Sequence, residues 1–332
     1  MGRTGRRAGD DAPVHVLVEP VVAWFGANAR DLPWRAPDRT AWGVLVSEVM
    51  LQQTPVVRVE PAWRAWMERW PTPADLAAAR PDDVLRAWGR LGYPRRALRL
   101  QECARTVVER HDGELPQAEE ALLALPGIGT YTAAAVTAFA RGRRSVVVDT
   151  NVRRVLARTL EGVALPAPHL SVAELRRAGE VVPDDDATSA RWNAAVMELG
   201  ALVCTARSPR CAECPVADLC RWRLAGSPPD ALADRRRRQA WHGTDRQARG
   251  RLMAALRSAT APVAEEDLAA LWPDDVQRVR ALGSLVADGL AVVEPDGPDA
   301  RGAAYRLPGP GHGTDLTAGA VDLERVVRGG PA

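Results

Sequence analysis

Apolar residues recur at helical spacing along most of the first two thirds of the chain. Val14 to Trp24 predicts a helix, followed by the loop Asp31-Leu32-Pro33-Trp34-Arg35. Residues 41–53 bear the next stripe, and Pro55 marks its end or a break. Further helical patterns fall at 60–69, 74–79, 82–90, 95–110, 117–124 and 130–141, separated by short turns with Pro and Gly. Ser145-Val146-Val147-Val148 reads as a brief strand leading into a helix over about 150–160. Two more helices fit 171–181 and 188–202. With no strand–helix alternation and no internal repeat, residues 14–225 read as mostly α.

The pattern changes after residue 225. Gly226, Pro228, Pro229 and the run Arg235 to Arg238 predict a basic linker over 226–243. Beyond it, Arg249–Ser258 fits a helix, Pro262–Leu268 a turn and helix start, and Val276–Asp288 a third helix. Gly289–Val293, the turn Asp296-Gly297-Pro298 and Ala303–Leu307 fit a hairpin. Three helices and a terminal hairpin over 244–308 predict a winged-helix-like α+β domain, with any small α+β domain as the alternative. Residues 1–12 read as a disordered arm and the Gly-rich 309–332 as a disordered tail.

Composition narrows the chemistry. At about 150 residues per domain, 332 residues suggest two or three domains. No apolar run approaches the ~18 residues of a membrane span. The basic start MGRTGRRAGDD has no apolar stretch behind it, unlike an export signal. These features predict a cytoplasmic protein without a membrane partner. The net charge of +2 does not by itself announce nucleic acid. All 44 Lys+Arg positions are Arg. A chain without lysine cannot form a lysine Schiff base, use a P-loop lysine or attach pyridoxal phosphate, because guanidinium stays protonated.

Four features could bear chemistry. Cys204, Cys211, Cys214 and Cys220 follow C-x6-C-x2-C-x5-C, apart from the lone Cys103. Such a set could form two disulfides, bind zinc or hold an iron–sulfur cluster. The single close pair with long outer gaps favours a loop wrapped around a larger object, such as a cluster. Glu48 shares a helix face with Val44 and Leu51: a half-buried carboxyl suited to acid catalysis, or a surface glutamate at the edge of the stripe. Leu125-Pro126-Gly127-Ile128-Gly129 has the form of a phosphate-gripping helix-hairpin-helix, in which glycines at positive φ aim N–H groups at an anion; an ordinary αα turn is the alternative. Asp149 opens a helix, as a simple N-cap or also as a fixed anion.

Taken in order, Ser47-Glu48-Val49-Met50-Leu51-Gln52-Gln53-Thr54, LPGIG, Val148-Asp149-Thr150-Asn151-Val152-Arg153-Arg154-Val155 and the cysteine loop resemble the MutY-type adenine DNA glycosylases. These belong to the helix-hairpin-helix superfamily with an iron–sulfur cluster. The resemblance covers roughly 14–225. It implies a mostly α fold: a six-helix barrel over 33–143 and a cluster module formed by 13–32 plus 144–225. DNA would lie across the cleft with the adenine flipped out.

By motif, Glu48 matches the acid that protonates adenine N7, and Asp149 the carboxylate facing the sugar as the glycosidic bond breaks. Tyr131 and Asn151 match residues that support them. Trp34, Arg35 and Glu198 match positions near the adenine pocket. Gln52, Gln53 and Tyr93 match further substrate-binding positions, with Gln53 and Tyr93 wedging into the duplex. Gly127 and Gly129 would present N–H groups to a phosphate, and Cys204, Cys211, Cys214 and Cys220 would ligate a [4Fe-4S] cluster.

The resemblance further implies a monomeric, nucleoid-associated enzyme acting on duplex DNA with adenine opposite 8-oxoguanine or guanine. The related endonuclease III type has a lysine just after its hairpin and cleaves the strand through a Schiff base. Here that position is Tyr131, and only the N-terminal amine could substitute, so a monofunctional enzyme is expected. The alternatives are an endonuclease III-like glycosylase acting on other damaged bases, and a non-enzymatic metal-containing DNA-binding protein. Two departures stand out. Pro94 follows Tyr93 where the family often has a second tyrosine. Residues 244–308 are too short and too helical for the family's Nudix-like domain. That module and Arg235 to Arg238 are expected to add phosphate contacts.

Overall fold

A computed structural model describes residues 14–235, 241–294 and 303–310. The expected arm at 1–12, the tail beyond Pro310, the hairpin turn Asp296-Gly297-Pro298 and Arg236 to Arg238 lie outside the described residues. Fifteen α-helices are described among them, beginning with α1 Val18–Asn28, α2 Ala41–Leu51, α3 Val56–Arg69, α4 Pro73–Ala78 and α5 Pro81–Trp88. Next come α6 Arg95–Arg110, α7 Glu119–Leu123, α8 Thr130–Arg141, α9 Thr150–Leu156, α10 Val172–Val181, α11 Asp186–Leu202 and α12 Arg221–Leu224. The last part holds α13 Asp245–Ser258, β1 Val263–Ala264, α14 Glu265–Leu271, α15 Asp275–Ala287, β2 Val292–Glu294 and β3 Ala304–Arg306. Among the described residues no helix is long and apolar enough to cross a membrane.

Local chemistry sets many boundaries. Thr72 and Asp75 form a capping box with Pro73 at the first helical position of α4. Ser171 and Glu174 cap α10 in the same way. Gly142 ends α8 at φ 63°, where a side chain would be strained. Pro61 lies inside α3 rather than near its start, so that helix begins earlier than its apolar pattern suggests. The expected strand at 145–148 is absent: the segment has no regular secondary structure and pairs with no strand among the described residues. Its backbone is met instead by one side chain of α11. Asn193 accepts from Val147 N–H through Oδ1 (3.2 Å) and donates through Nδ2 to the Ser145 carbonyl (2.9 Å). The helix expected over 150–160 leaves α-helical geometry after Leu156 and widens into a π turn at Ala157–Glu161.

The chain divides into two compact units. The first comprises Met1–Glu48, Pro116–Ala124 and Ile128–Arg237. One core joins Leu17 and Val21 of α1 and the turn before it to Val152 and Val155 of α9 and Trp192 and Leu199 of α11. A smaller core of Ala134, Ala135, Ala138 and Val147 lies under Tyr131.

The second unit comprises Val49–Leu115, Leu125–Gly127 and Arg238–Ala332. Trp66 makes edge-to-face contacts with Trp70 and Trp88, with ring centroids 4.6 and 5.6 Å apart. Most of the tryptophans are core, as expected, but Trp241 is about half exposed. The terminal α+β module belongs to this unit and has the expected winged-helix-like order. Its antiparallel sheet runs β1-β3-β2, with Tyr305 opposite both Val263 and Val293. Helix α13 packs on α15, α14 and α5. Arg86 of α5 donates to the Arg257 carbonyl, and Asp288 pairs with both Arg249 (2.6 Å) and Arg95 (3.0 Å).

Candidate active site

Glu48 is a carboxyl on an otherwise apolar face, and the fold buries it to 5% exposure. Tyr131 lies in the first turn of α8 and donates its hydroxyl to Glu48 Oε2 at 2.7 Å. Burial raises the Glu48 pKa, the Tyr131 bond opposes the rise, the Asp149 charge adds to it and the Arg35 charge opposes it. The result is a pKa of about 7, up from 4.5. Burial and the same two carboxylates push the Tyr131 hydroxyl well above its usual range, so it remains a donor.

Asp149 caps α9. Its Oδ1 accepts from the backbone N–H groups of Asn151 (2.8 Å) and Val152 (2.7 Å), and its Oδ2 from Asn151 Nδ2 (2.7 Å). Burial raises its pKa, and the three donors and Arg154 oppose the rise without cancelling it. The structure thus shows the cap by its geometry, while burial works against the fixed anion that a helix N-terminus would favour.

Two residues that the sequence did not single out hold this corner. Arg154 donates to Asn151 Oδ1 (2.8 Å), the Gly200 carbonyl (2.7 Å) and the Cys204 carbonyl (2.6 Å). Gly200 lets α9 and α11 meet: a Cβ there would lie 2.7 Å from Asn151 Cβ and 2.9 Å from its carbonyl oxygen. The sequence signal for Arg154 is faint, an arginine between Val152 and Val155 on a stripe that turns out to be buried.

Glu198 on α11 is buried and meets two guanidiniums. Arg30 binds it through Nε (2.8 Å) and Nη2 (2.7 Å), and Arg35 through Nη2 (3.0 Å). Burial would raise this carboxyl, but the bonds from Arg30 and Arg35 and the Arg35 charge hold it at about 2. Arg35 also lies 5.4 Å from the Phe25 ring, and its buried Nη1 has no hydrogen-bond partner among the described residues. Trp34, beside it in the Pro33–Arg35 turn, is buried. Arg30 was not foreseen: it lies just outside the Pro-Trp-Arg turn.

The four clustered cysteines are free thiols that line one pocket, walled also by the apolar side chains of Val155, Leu199, Val216 and Trp222. Among the described residues no three His, Cys, Asp or Glu side chains gather closely enough to hold a single ion. Burial pushes the Cys214 thiol up to about 11, and the neighbouring thiols add to the shift. Arg158, 3% exposed and also unforeseen, donates to Cys204 Sγ (3.3 Å) and the Thr205 carbonyl (2.7 Å) and lies 4.6 Å from the Trp222 ring. Soft sulfur donors with a buried cation fit a polynuclear, net-anionic thiolate-bound group better than a lone hard ion.

Gln52, Gln53, Tyr93 and Gly127 belong to the other unit. Gln53 and Tyr93 are joined by a 2.8 Å bond from Tyr93 Oη to Gln53 Oε1, and both have left-handed backbone, φ 55° and 48°. Gln52 is partly buried. Gly127 has φ 76°, with Arg99 Cβ 3.1 Å from where a Cβ would stand. Gly129 departs from the expected glycine pair. Its φ of −96° is open to any residue, and it serves as the N-cap of α8. Nothing lies within 4 Å of its Cβ position, so its backbone is open to approach.

Residues 46–176 match the family model of the HhH-GPD superfamily base excision DNA repair proteins. Residues 204–220 match that of the iron-sulfur binding domain of endonuclease III. The chain is 53% identical over 287 residues to an adenine DNA glycosylase of Mycolicibacterium smegmatis, covering 86% of this chain and 94% of that protein. It is 48% identical over 306 residues to one of Mycobacterium tuberculosis, covering 90% and 96%. Among solved structures, a thermostable thymine-DNA glycosylase matches with a TM-score of 0.58 at 28% identity, covering 64% of this chain and 97% of that one.

Proposed function

The chain belongs to the adenine DNA glycosylase family of the HhH-GPD superfamily, and from that premise we propose that it removes adenine mispaired with 8-oxoguanine or guanine. As a base excision repair enzyme it hydrolyses N-glycosyl bonds and has an iron–sulfur binding domain. The observation behind the mechanism is a buried Glu48 with a pKa of about 7, bonded to Tyr131 and beside the fixed Asp149.

In this reading the adenine is flipped from the stack into the pocket of Glu48, Trp34, Arg35 and Glu198. Glu48, protonated near neutrality, delivers its proton to adenine N7. The electron pair of the bond from C1′ to the base leaves with N9, and adenine departs neutral. Asp149, held by Asn151 and Val152, faces the positive charge on the sugar and stabilises it by charge or by a transient ester. Water then adds at C1′, leaving an abasic site. Tyr131 stands where a Schiff-base lysine would, and no lysine exists in the chain, so strand cleavage through a lysine Schiff base is not part of the reaction.

Cys204, Cys211, Cys214 and Cys220 would hold a [4Fe-4S] cluster, with Arg158 offsetting thiolate charge. The loop these four cysteines hold together around the group would bind DNA by charge rather than by redox work. Gly127 and Gly129 would offer N–H groups to a backbone phosphate. Gln52, Gln53 and Tyr93 would engage the duplex, the last two as a wedge. A barrel would span 33–143 and a cluster module 13–32 with 144–225; the enzyme would act as a cytoplasmic, nucleoid-associated monomer. Replacing Glu48 with Gln tests the chemistry: base release should be lost while mispair binding is retained. Equal release by the variant and the parent would contradict it.

A further inference from the structure

Tyr93 stands in a strained turn. Gly89, Gly92 and Tyr93 all have positive φ, and Tyr93 has a side chain to strain. Such a conformation persists only where its surroundings impose it. Trp88 Nε1 donates to the Gly92 carbonyl at 2.9 Å. Arg96 donates to the carbonyls of Val49 (2.5 Å) and Gly92 (3.1 Å), tying the turn to the end of α2. The ring itself is 40% exposed and meets two guanidiniums, that of Arg96 at 5.6 Å and that of Arg246 at 4.9 Å.

Arg246 comes from the first turn of α13, in the terminal module. It also lies 5.6 Å from the ring of Trp241. Helix α13 is anchored in place by Arg86 on the Arg257 carbonyl and by Asp288, which joins Arg249 to Arg95, two residues beyond Tyr93. The module thus has a fixed seat on the chain that flanks Tyr93. Its α15, the helix such modules commonly lay on DNA, is poorly suited to phosphates. Its exposed positions include Asp274, Asp275, Val276 and Val279, and Arg280 is bound to Asp245 at 2.6 Å.

We propose that Arg246 is a positioning residue, through which the winged-helix-like module holds the Tyr93 ring in the pose that enters the duplex. This rests on the reading of Tyr93 as a wedge. A planar guanidinium stacks on an aromatic face and restricts the ring, whereas a lysine ammonium supplies charge without the plane. The module then serves mispair recognition through the wedge rather than by reading DNA with its own helix.

The test is a double-mutant cycle in the full chain, read by single-turnover release of adenine opposite 8-oxoguanine at saturating protein. Arg246→Ala should slow release about two- to fivefold, the scale of one exposed cation–π contact. Arg246→Lys should recover only part of the rate. In a Tyr93→Leu background Arg246→Ala should have no further effect. The salt dependence of duplex binding should be the same for Arg246→Ala and the parent, because a phosphate contact would change its slope by about one. Equal slowing in both backgrounds, full recovery by lysine or a flattened salt slope would each overturn the proposal. A Tyr93→Leu protein as fast as the parent would overturn it by a distinct route, removing the wedge beneath it. A parent that releases no adenine would remove the glycosylase reading as well.

Discussion

Glu48→Gln should make the protein more stable at pH 8 while removing its activity. The native carboxyl has a pKa of about 7 where an unfolded chain has 4.5. A raised carboxyl pKa supports the fold below about pH 4.5, where both states are protonated, and that support is lost as pH rises through about 7. At about 1.4 kcal/mol per tenfold, the ionised buried form costs about 3 kcal/mol at pH 8. At pH 5 the same linkage leaves under about 1 kcal/mol. Glutamine keeps the shape, stays neutral, and can still accept the Tyr131 hydroxyl. For a unit of this size about 3 kcal/mol corresponds to a melting-point rise of roughly 6–12 °C. Thermal unfolding of variant and parent by circular dichroism at pH 5 and pH 8 reads the difference directly. A gap that is the same at both pH values, or a parent more stable at pH 8, would refute the burial of a titrating Glu48. Base release should fall by about 10²–10⁴ in the same variant.

Three further outcomes are expected. Tyr131→Phe removes a bond that lowers the Glu48 pKa, so the alkaline limb of the pH–rate profile should move upward; a limb that stays put or moves down counts against the contact. Gly200→Ala drives a Cβ into Asn151 and should cost about 1–3 kcal/mol, with lower base release, measured by denaturant unfolding and single-turnover rates. Arg158→Met removes the guanidinium beside Cys204 Sγ, so the variant should hold less iron per chain than the parent and absorb less visible light; full iron retention would show the cation to be dispensable.

Where caps and apolar stripes act locally, the sequence is legible. Helices α6 and α8 run over the residues their patterns mark, and the terminal module has the three expected helices and the two strands of the hairpin, while β1 at Val263–Ala264, read in the sequence as a turn, adds a third strand. The order of motifs likewise pointed to the family. What stayed hidden depends on approach between distant segments. Ser145–Val148 has a strand's composition, but its backbone partner is the Asn193 side chain, which no local rule supplies. Arg154 and Arg158 look like solvated helix arginines until α9 meets the cysteine loop. Gly200 looks like a flaw in a helix until Asn151 is placed against it. Whether Glu48 was surface or buried turned on packing, which one amphipathic stripe leaves open.

The most direct measurement is single-turnover base release from duplexes with adenine opposite 8-oxoguanine, guanine or thymine, each sample split with and without alkali. The account predicts breaks only after alkali and only in the two mispairs. Breaks without alkali, or no release from either mispair, would contradict it.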